Sequence, residues 1–288
     1  MDIVKYLRFL PIKRFREPPP RVAVLRLSGA IGSFGPLRQG LTLAGLEATI
    51  ARAFEIPRLN AVALAVNSPG GSPVQSELIA GRIRALAKEK DLPVFAFCED
   101  VAASGGYWLA LAGDKIFASE NSIVGSIGVI SAGFGFPALI ERVGIERRVH
   151  TSGTRKSILD PFKAEDPDDV ARLESLQREI HDSFISWVRE RRGEALKSEA
   201  AVLFSGEFWS GRRAAELGLV DGIGDLRSEL RSRFGDKVEL IPVKQQKRWW
   251  RRPFGGAALA EALPSTRDWA AGLLAAAEER ALWGRYGL

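Results

Sequence analysis

One cysteine, Cys98, and two histidines, His150 and His181, are the whole supply of thiol and imidazole in 288 residues. A single thiol excludes an internal disulfide and a cysteine-built zinc cluster, and gives no sign of an oxidising compartment. Two imidazoles are too few for a multi-histidine metal site, so no metal is expected. Neither a GxGxxG pattern nor a P-loop lysine accompanies the glycine-rich turns, and no cofactor is implied. Uninterrupted apolar runs are missing as well. Lys5 and Arg8 break the stretch that a secretory signal would need. The uncharged span 121–140 is long enough to cross a bilayer but is cut by Gly125, Gly128, Gly133, Gly135 and Pro137, so it reads as buried strand and loop. The expected placement is cytoplasmic.

The chain is basic, with 41 Lys and Arg against 35 Asp and Glu, yet the excess is local. Residues 1–21 hold six basic and two acidic side chains, and Lys244, Lys247, Arg248, Arg251 and Arg252 add five more cations, so these flanks carry +9 and the remainder −3. That distribution argues against a nucleic-acid-binding face. Both flanks mix cations with apolar groups: Tyr6, Leu7, Phe9 and Leu10 in one, Trp249, Trp250 and Phe254 in the other. Such patches suit peripheral contact with a membrane surface, and equally docking on a neighbouring subunit.

Hydrophobic residues make up 46% of the chain, enough for a substantial core. Pro18, Pro19 and Pro20 separate a basic leader (1–21) from a domain expected over 22–243, followed by a basic aromatic turn and an amphipathic helix in 244–288. Strands are expected at 22–27, 61–66, 93–98, 115–118, 124–130, 145–149 and 238–243, where apolar and β-branched residues run between turn signals. Leu43, Leu46, Ile50 and Phe54 recur at helical spacing. Ser72 and Gln75 have capping-box spacing with Pro73 in the first helical position, and Val74, Leu78, Ile79, Ile83 and Leu86 form the stripe expected to be buried. A long helix from Asp166 to about Arg192 carries Val170, Leu173, Ile180, Phe184 and Val188. The fold class is α/β, a stack of ββα units.

Two glycine turns close successive strands on the edge where ligands bind in parallel sheets. In Val101-Ala102-Ala103-Ser104-Gly105-Gly106-Tyr107-Trp108, Ser104 can be a helix cap or a nucleophile with the Gly105 amide facing a carbonyl oxygen. In Asn67-Ser68-Pro69-Gly70-Gly71, the glycines permit close approach to a ligand, and an amide there can be a second oxyanion donor. A serine nucleophile needs a base. A lysine can serve once burial lowers an amine from about 10.4 toward 7. The competing base is His150, although Arg147 and Arg148 beside it mark an exposed face.

The two glycine turns, with Gly125-Ser126-Ile127-Gly128-Val129, Ser152-Gly153-Thr154-Arg155-Lys156 and the late Ser210-Gly211 to Gly218-Leu219-Val220-Asp221 stretch, resemble the S49 peptidases, the signal peptide peptidases of the SppA type. The resemblance spans about residues 22–243 and implies the Clp protease/crotonase fold. It also implies a Ser-Lys dyad: Ser104 as nucleophile, Lys156 as general base, Ser126 as the serine that orients the lysine, and the amides of Gly71 and Gly105 as the oxyanion hole. Peptide substrates with apolar side chains, such as signal-peptide remnants, follow from it, as does a homo-oligomer whose sites are shared between subunits. Two other readings remain open on the residues alone: a crotonase-type acyl-CoA enzyme using the same two amides, and a non-catalytic, membrane-associated scaffold.

Overall fold

The computed structural model describes residues 18–33, 40–153, 155–244, 276–277 and 279–288. The leader residues Tyr6 to Leu10, the Trp249-Trp250 turn and most of the C-terminal amphipathic stretch therefore lie outside the described residues.

Three parallel strands make the centre of one sheet: β1 (Arg21–Ser28), β2 (Leu59–Ser68) and β3 (Val94–Ala103). Ala61 to Val66 of β2 are all buried, as an unbroken apolar run demands when both faces are covered. Alternation along the strands divides the core. Leu25, Leu27, Leu64, Val66, Ala96 and Cys98 face one cluster, which α1 (Leu43–Phe54), α2 (Pro73–Lys90) and α3 (Gly105–Ala110) cover. Val22, Ala63, Phe95 and Phe97 face the other cluster, with Phe117 and Leu230. Cys98 is a buried core residue, and burial pushes its thiol up to about 12, which leaves it inert.

β3 is longer than the expected 93–98 strand and runs directly into Ser104 with no connection between them. Its first half pairs with β4 (Lys115–Ala118) and its second half with β5 (Ile123–Gly125), both on the edge away from β2, so the sheet forks. The fork sits at a bulge: Cys98 lies opposite Val66, but Ala102 lies opposite Ser68. Asn67 fills the gap. Its Oδ1 accepts from Val101 N (3.2 Å) and its Nδ2 donates to Asp100 Oδ2 (2.6 Å).

The outer elements are α4 (Pro137–Arg142), α5 (Pro167–Arg192), α6 (Ala200–Leu203), β6 (Phe208–Ser210), α7 (Gly211–Glu216), β7 (Gly222–Ile223), α8 (Leu226–Phe234) and β8 (Glu239–Pro242). The order along the sheet is β6-β5-β3-β2-β1-β8, with β6 antiparallel to β5 and β8 parallel to β1.

Several local expectations need correction. Residues 145–149 form no strand and are mostly exposed: they pair with no strand of the sheet, and Ile145 N donates instead to Ile140 O in α4. The strand expected at 124–130 ends at Gly125. Beyond Val129 the uncharged span is exposed through Phe136 rather than buried. In α2, Val74 and Leu78 are 59% and 44% exposed, and Ser76, Ile79, Ala80, Ile83 and Leu86 form the buried side. Ser72 caps as expected, accepting from Gln75 N, but Gln75 Oε1 accepts from Leu43 N and thereby joins α2 to α1. In α5 only the last turns are buried, at Phe184, Val188 and Arg192.

Arg192 is 8% exposed and donates to Gly218 O (2.9 Å) and Asp221 Oδ2 (2.8 Å). Burial alone would raise the Asp221 carboxyl, but the Ile116 amide, Arg192 and Lys115 outweigh it and hold it below the ordinary carboxylate range. A depressed folded value contributes stability that is present above the unfolded value near about 3.9 and is lost as pH falls through the folded one. Asp221→Asn strands a buried guanidinium and should cost about 3 kcal/mol at neutral pH. Urea midpoints measured from pH 7 to pH 2 should show that cost, together with a shallower acid loss below about pH 4 in the variant.

Candidate active site

Ser104 occupies the position before α3 but does not cap it: its side chain makes no cap hydrogen bond. Its backbone is at φ 53°, ψ −123°. A non-glycine residue held there costs of order 1–3 kcal/mol, and such strain persists only where surrounding contacts impose it. Here they do. Ser104 N donates to Gly125 O (2.8 Å), and Ser104 O accepts from Trp108 N (3.0 Å). The residue is half-buried, so the hydroxyl is reachable.

The Asn67–Gly71 turn packs directly on this elbow. A Cβ on Gly70 would lie 2.8 Å from Ser104 Cβ and 3.0 Å from Gly105 N, and one on Gly71 would lie 2.1 Å from Ile31 O. Ile31 N donates to Gly70 O (2.8 Å) and Ile31 O accepts from Ser72 N (2.8 Å), which pins the turn on both sides of Gly71. Neither the Gly71 amide nor the Gly105 amide has an acceptor among the described residues. Two neighbouring N–H groups without partners, beside a strained serine, can stabilise an oxyanion on a carbonyl attacked by that serine.

Ser126 lies one residue past β5, as Ser104 lies one past β3, and the register pairs Ala103 with Gly125. Both serines have φ 53°. Ser126 is 6% exposed, its amide donates to Glu207 O (2.6 Å), and its hydroxyl has no hydrogen-bond partner among the described residues. The cleft beside Ser104 is walled by Pro73, Trp108, Val129, Ile180 and Phe184, with no charged side chain among the described residues that line it. Trp108 and Phe184 stack at 4.6 Å, which seats α5 on α3.

Lys156 is not brought to this cleft within the chain. It is exposed, in a turn over 155–159, on an arm folded on itself by the Arg147–Asp160 ion pair (2.8 Å), the Phe136 N to Pro161 O bond (2.6 Å) and the Phe136–Phe162 contact (5.8 Å). Arg147 holds the Asp160 carboxyl below its ordinary range. The arm exposes Ile130, Phe134 (83%), Leu139, Val143 and Ile145. His150, the competing base, is exposed on the same arm.

Three residues that shape the site carried no sequence signal of their own. Asn67 sets the bulge that leads β3 into Ser104. Ser76 on α2 donates to Ser72 O (2.9 Å), and its Oγ would lie 2.4 Å from a Cβ on Gly105, so α2 and α3 touch there only because Gly105 has no side chain. His181 on α5 reaches the backbone of Ile127. Among the described residues no group of His, Cys, Asp and Glu could hold a metal ion.

A family model described as peptidase family S49 matches residues 86–236. A Brucella abortus protein named Na(+)/H(+) antiporter NhaA is 50% identical over 286 residues, 98% of this chain but 39% of its own length. The chain thus spans about two fifths of that relative. No helix among the described residues is long and apolar enough to cross a membrane. A Synechocystis protein named as a protease is 32% identical over 242 residues, 82% of this chain and 83% of that protein. Two structures of the 1510-N membrane-bound stomatin-specific protease share the fold at TM-score 0.50 and 16% identity, covering 79% and 80% of this chain and 99% and 94% of theirs. One is a serine-to-alanine mutant; the other is a lysine-to-alanine mutant in complex with a substrate peptide.

Proposed function

Because the chain belongs to peptidase family S49, with the α/β fold of the Clp protease and crotonase group, we propose that it is a serine endopeptidase that attacks peptide carbonyls with Ser104. Its base is Lys156 of a neighbouring copy, oriented by Ser126, and its oxyanion donors are the amides of Gly71 and Gly105. The observation that carries this reading is the strained Ser104 backbone, its side chain making no cap bond, flanked by two amides without an acceptor among the described residues.

In this mechanism the Lys156 amine takes the Ser104 proton as Oγ bonds the carbonyl carbon. The tetrahedral oxyanion falls between the two amides, and the proton passes to the leaving amine as the C–N bond breaks. Water then repeats the sequence on the acyl-enzyme, with Lys156 again as base. The apolar walls of the cleft favour substrates with apolar side chains, such as remnants of signal peptides. The exposed apolar arm that carries Lys156 favours a homo-oligomer in which it lies against the next copy. A cytoplasmic protein touching the membrane surface through its two basic flanks completes the proposal.

Treatment with a fluorophosphonate, followed by intact mass and peptide mapping, tests the reading. One adduct per chain on Ser104 is expected, absent in Ser104→Ala and strongly slowed in Lys156→Ala. A folded chain that takes no label would instead favour the acyl-CoA enzyme or the scaffold.

A further inference from the structure

Past β5 the chain leaves the sheet and becomes one wall of the Ser104 cleft, through Gly128 and Val129. Ile127 anchors this wall in the core, but its backbone hydrogen bonds are few among the described residues. Ser126 N bonds Glu207 O and Phe136 N bonds Pro161 O, each at 2.6 Å. Between those anchors, the backbone of residues 127–135 makes one hydrogen bond among the described residues: Ile127 O with His181 Nε2, at 3.0 Å. A carbonyl only accepts, so Nε2 carries the proton, and it does so in the neutral Nε2–H tautomer and in the imidazolium alike.

The opposite wall is α5 itself. Ile180, next to His181, and Phe184, one turn on, both line the cleft. The single bond from His181 therefore joins the helix wall to the loop wall, one residue from Ser126. Ile127 is fully buried, so its carbonyl would lack a partner if the imidazole were removed.

We propose that His181 is a positioning residue that fixes the spacing of the two cleft walls and so sets which substrate side chains the cleft discriminates. The discrimination rests on the peptidase reading above; the tether does not. His181→Phe removes the donor and keeps a ring of similar size, whereas His181→Gln keeps a donor that reaches the same carbonyl.

Two measurements test this on the full chain. In hydrogen exchange, the amide of Ser126, bonded to Glu207 O one residue before the tether, should lose protection in His181→Phe and retain it in His181→Gln. In steady-state kinetics with paired peptides, leucine or alanine preceding the scissile bond, the ratio of the two kcat/KM values should move toward one by about fivefold or more in His181→Phe, through KM, and stay near wild type in His181→Gln. A residue that only stabilised the fold would lower both substrates equally. Unchanged protection in His181→Phe overturns the tether, and an unchanged ratio with lost protection overturns the role in specificity. A wild-type protein that cleaves neither peptide defeats the peptidase reading, and the exchange data then still decide the tether.

Discussion

Oligomers assembled from equal amounts of Ser104→Ala and Lys156→Ala chains are expected to regain about a quarter of wild-type turnover, although each variant alone should fall by about 10,000-fold or more. The quarter is a count of pairings. A working site needs a Ser104 from one chain and a Lys156 from the next, and random mixing makes that pairing in about one site of four. A dyad contained in one chain gives no recovery, since no mixed chain holds both groups. The structure motivates the former outcome: Lys156 is exposed on an arm outside the Ser104 cleft, and the arm bears apolar side chains such as Phe134 and Val143 that a monomer would leave in water. Affinity tags on the two variants establish that they have mixed, so silence in demonstrably mixed oligomers sinks the shared site. It does not touch Ser104 as nucleophile, which the fluorophosphonate adduct decides separately.

Much of the frame around Ser104 was legible in the residues because it obeys local rules. Ser72-Pro73 starts α2 where cap chemistry puts it, and the run from Ala61 to Val66 is a strand buried on both faces. The two glycine turns do fall side by side, since successive parallel strands bring their C-terminal ends together. What stayed illegible depends on contacts remote in sequence. The residues of 145–149 suit a strand, but a strand needs a partner, and none of β1 to β8 pairs with them. Val74 and Leu78 fit a helical stripe, yet the period does not say which side meets the sheet. A Ser-Gly-Gly start serves a cap or a strained elbow equally well; only the backbone angles at Ser104 separate them. Asn67 and His181 act on single backbone groups, and a lone polar residue carries no periodicity to reveal such a task.

Replacing Gly71 by alanine is expected to lower kcat by about 100- to 1,000-fold while Ser104 remains in place. Gly71 sits at φ +139°, which disfavours a side chain, and a Cβ there would lie 2.1 Å from Ile31 O. That oxygen cannot retreat freely. It accepts from Ser72 N, and Ile31 N is bonded to Gly70 O, so the turn itself must move. Its displacement swings the Gly71 amide away from the place where the oxyanion forms and leaves one donor, from Gly105. The loss therefore belongs to kcat, because the donor acts on charge that develops only in the transition state. Backbone strain must be separated from oxyanion geometry. Gly235 has φ +86° and open space around its Cβ position, so Gly235→Ala carries strain alone, costing of order 1–3 kcal/mol of stability with kcat unchanged. Gly71→Ala should lower the melting temperature by more than this control, since it adds a steric clash, yet remain folded at assay temperature. If Gly71→Ala, folded by circular dichroism and assembled as wild type, turns over peptide within threefold of wild type, the Gly71 amide is not an oxyanion donor, and the strained elbow at Ser104 must be matched to a different pair of amides.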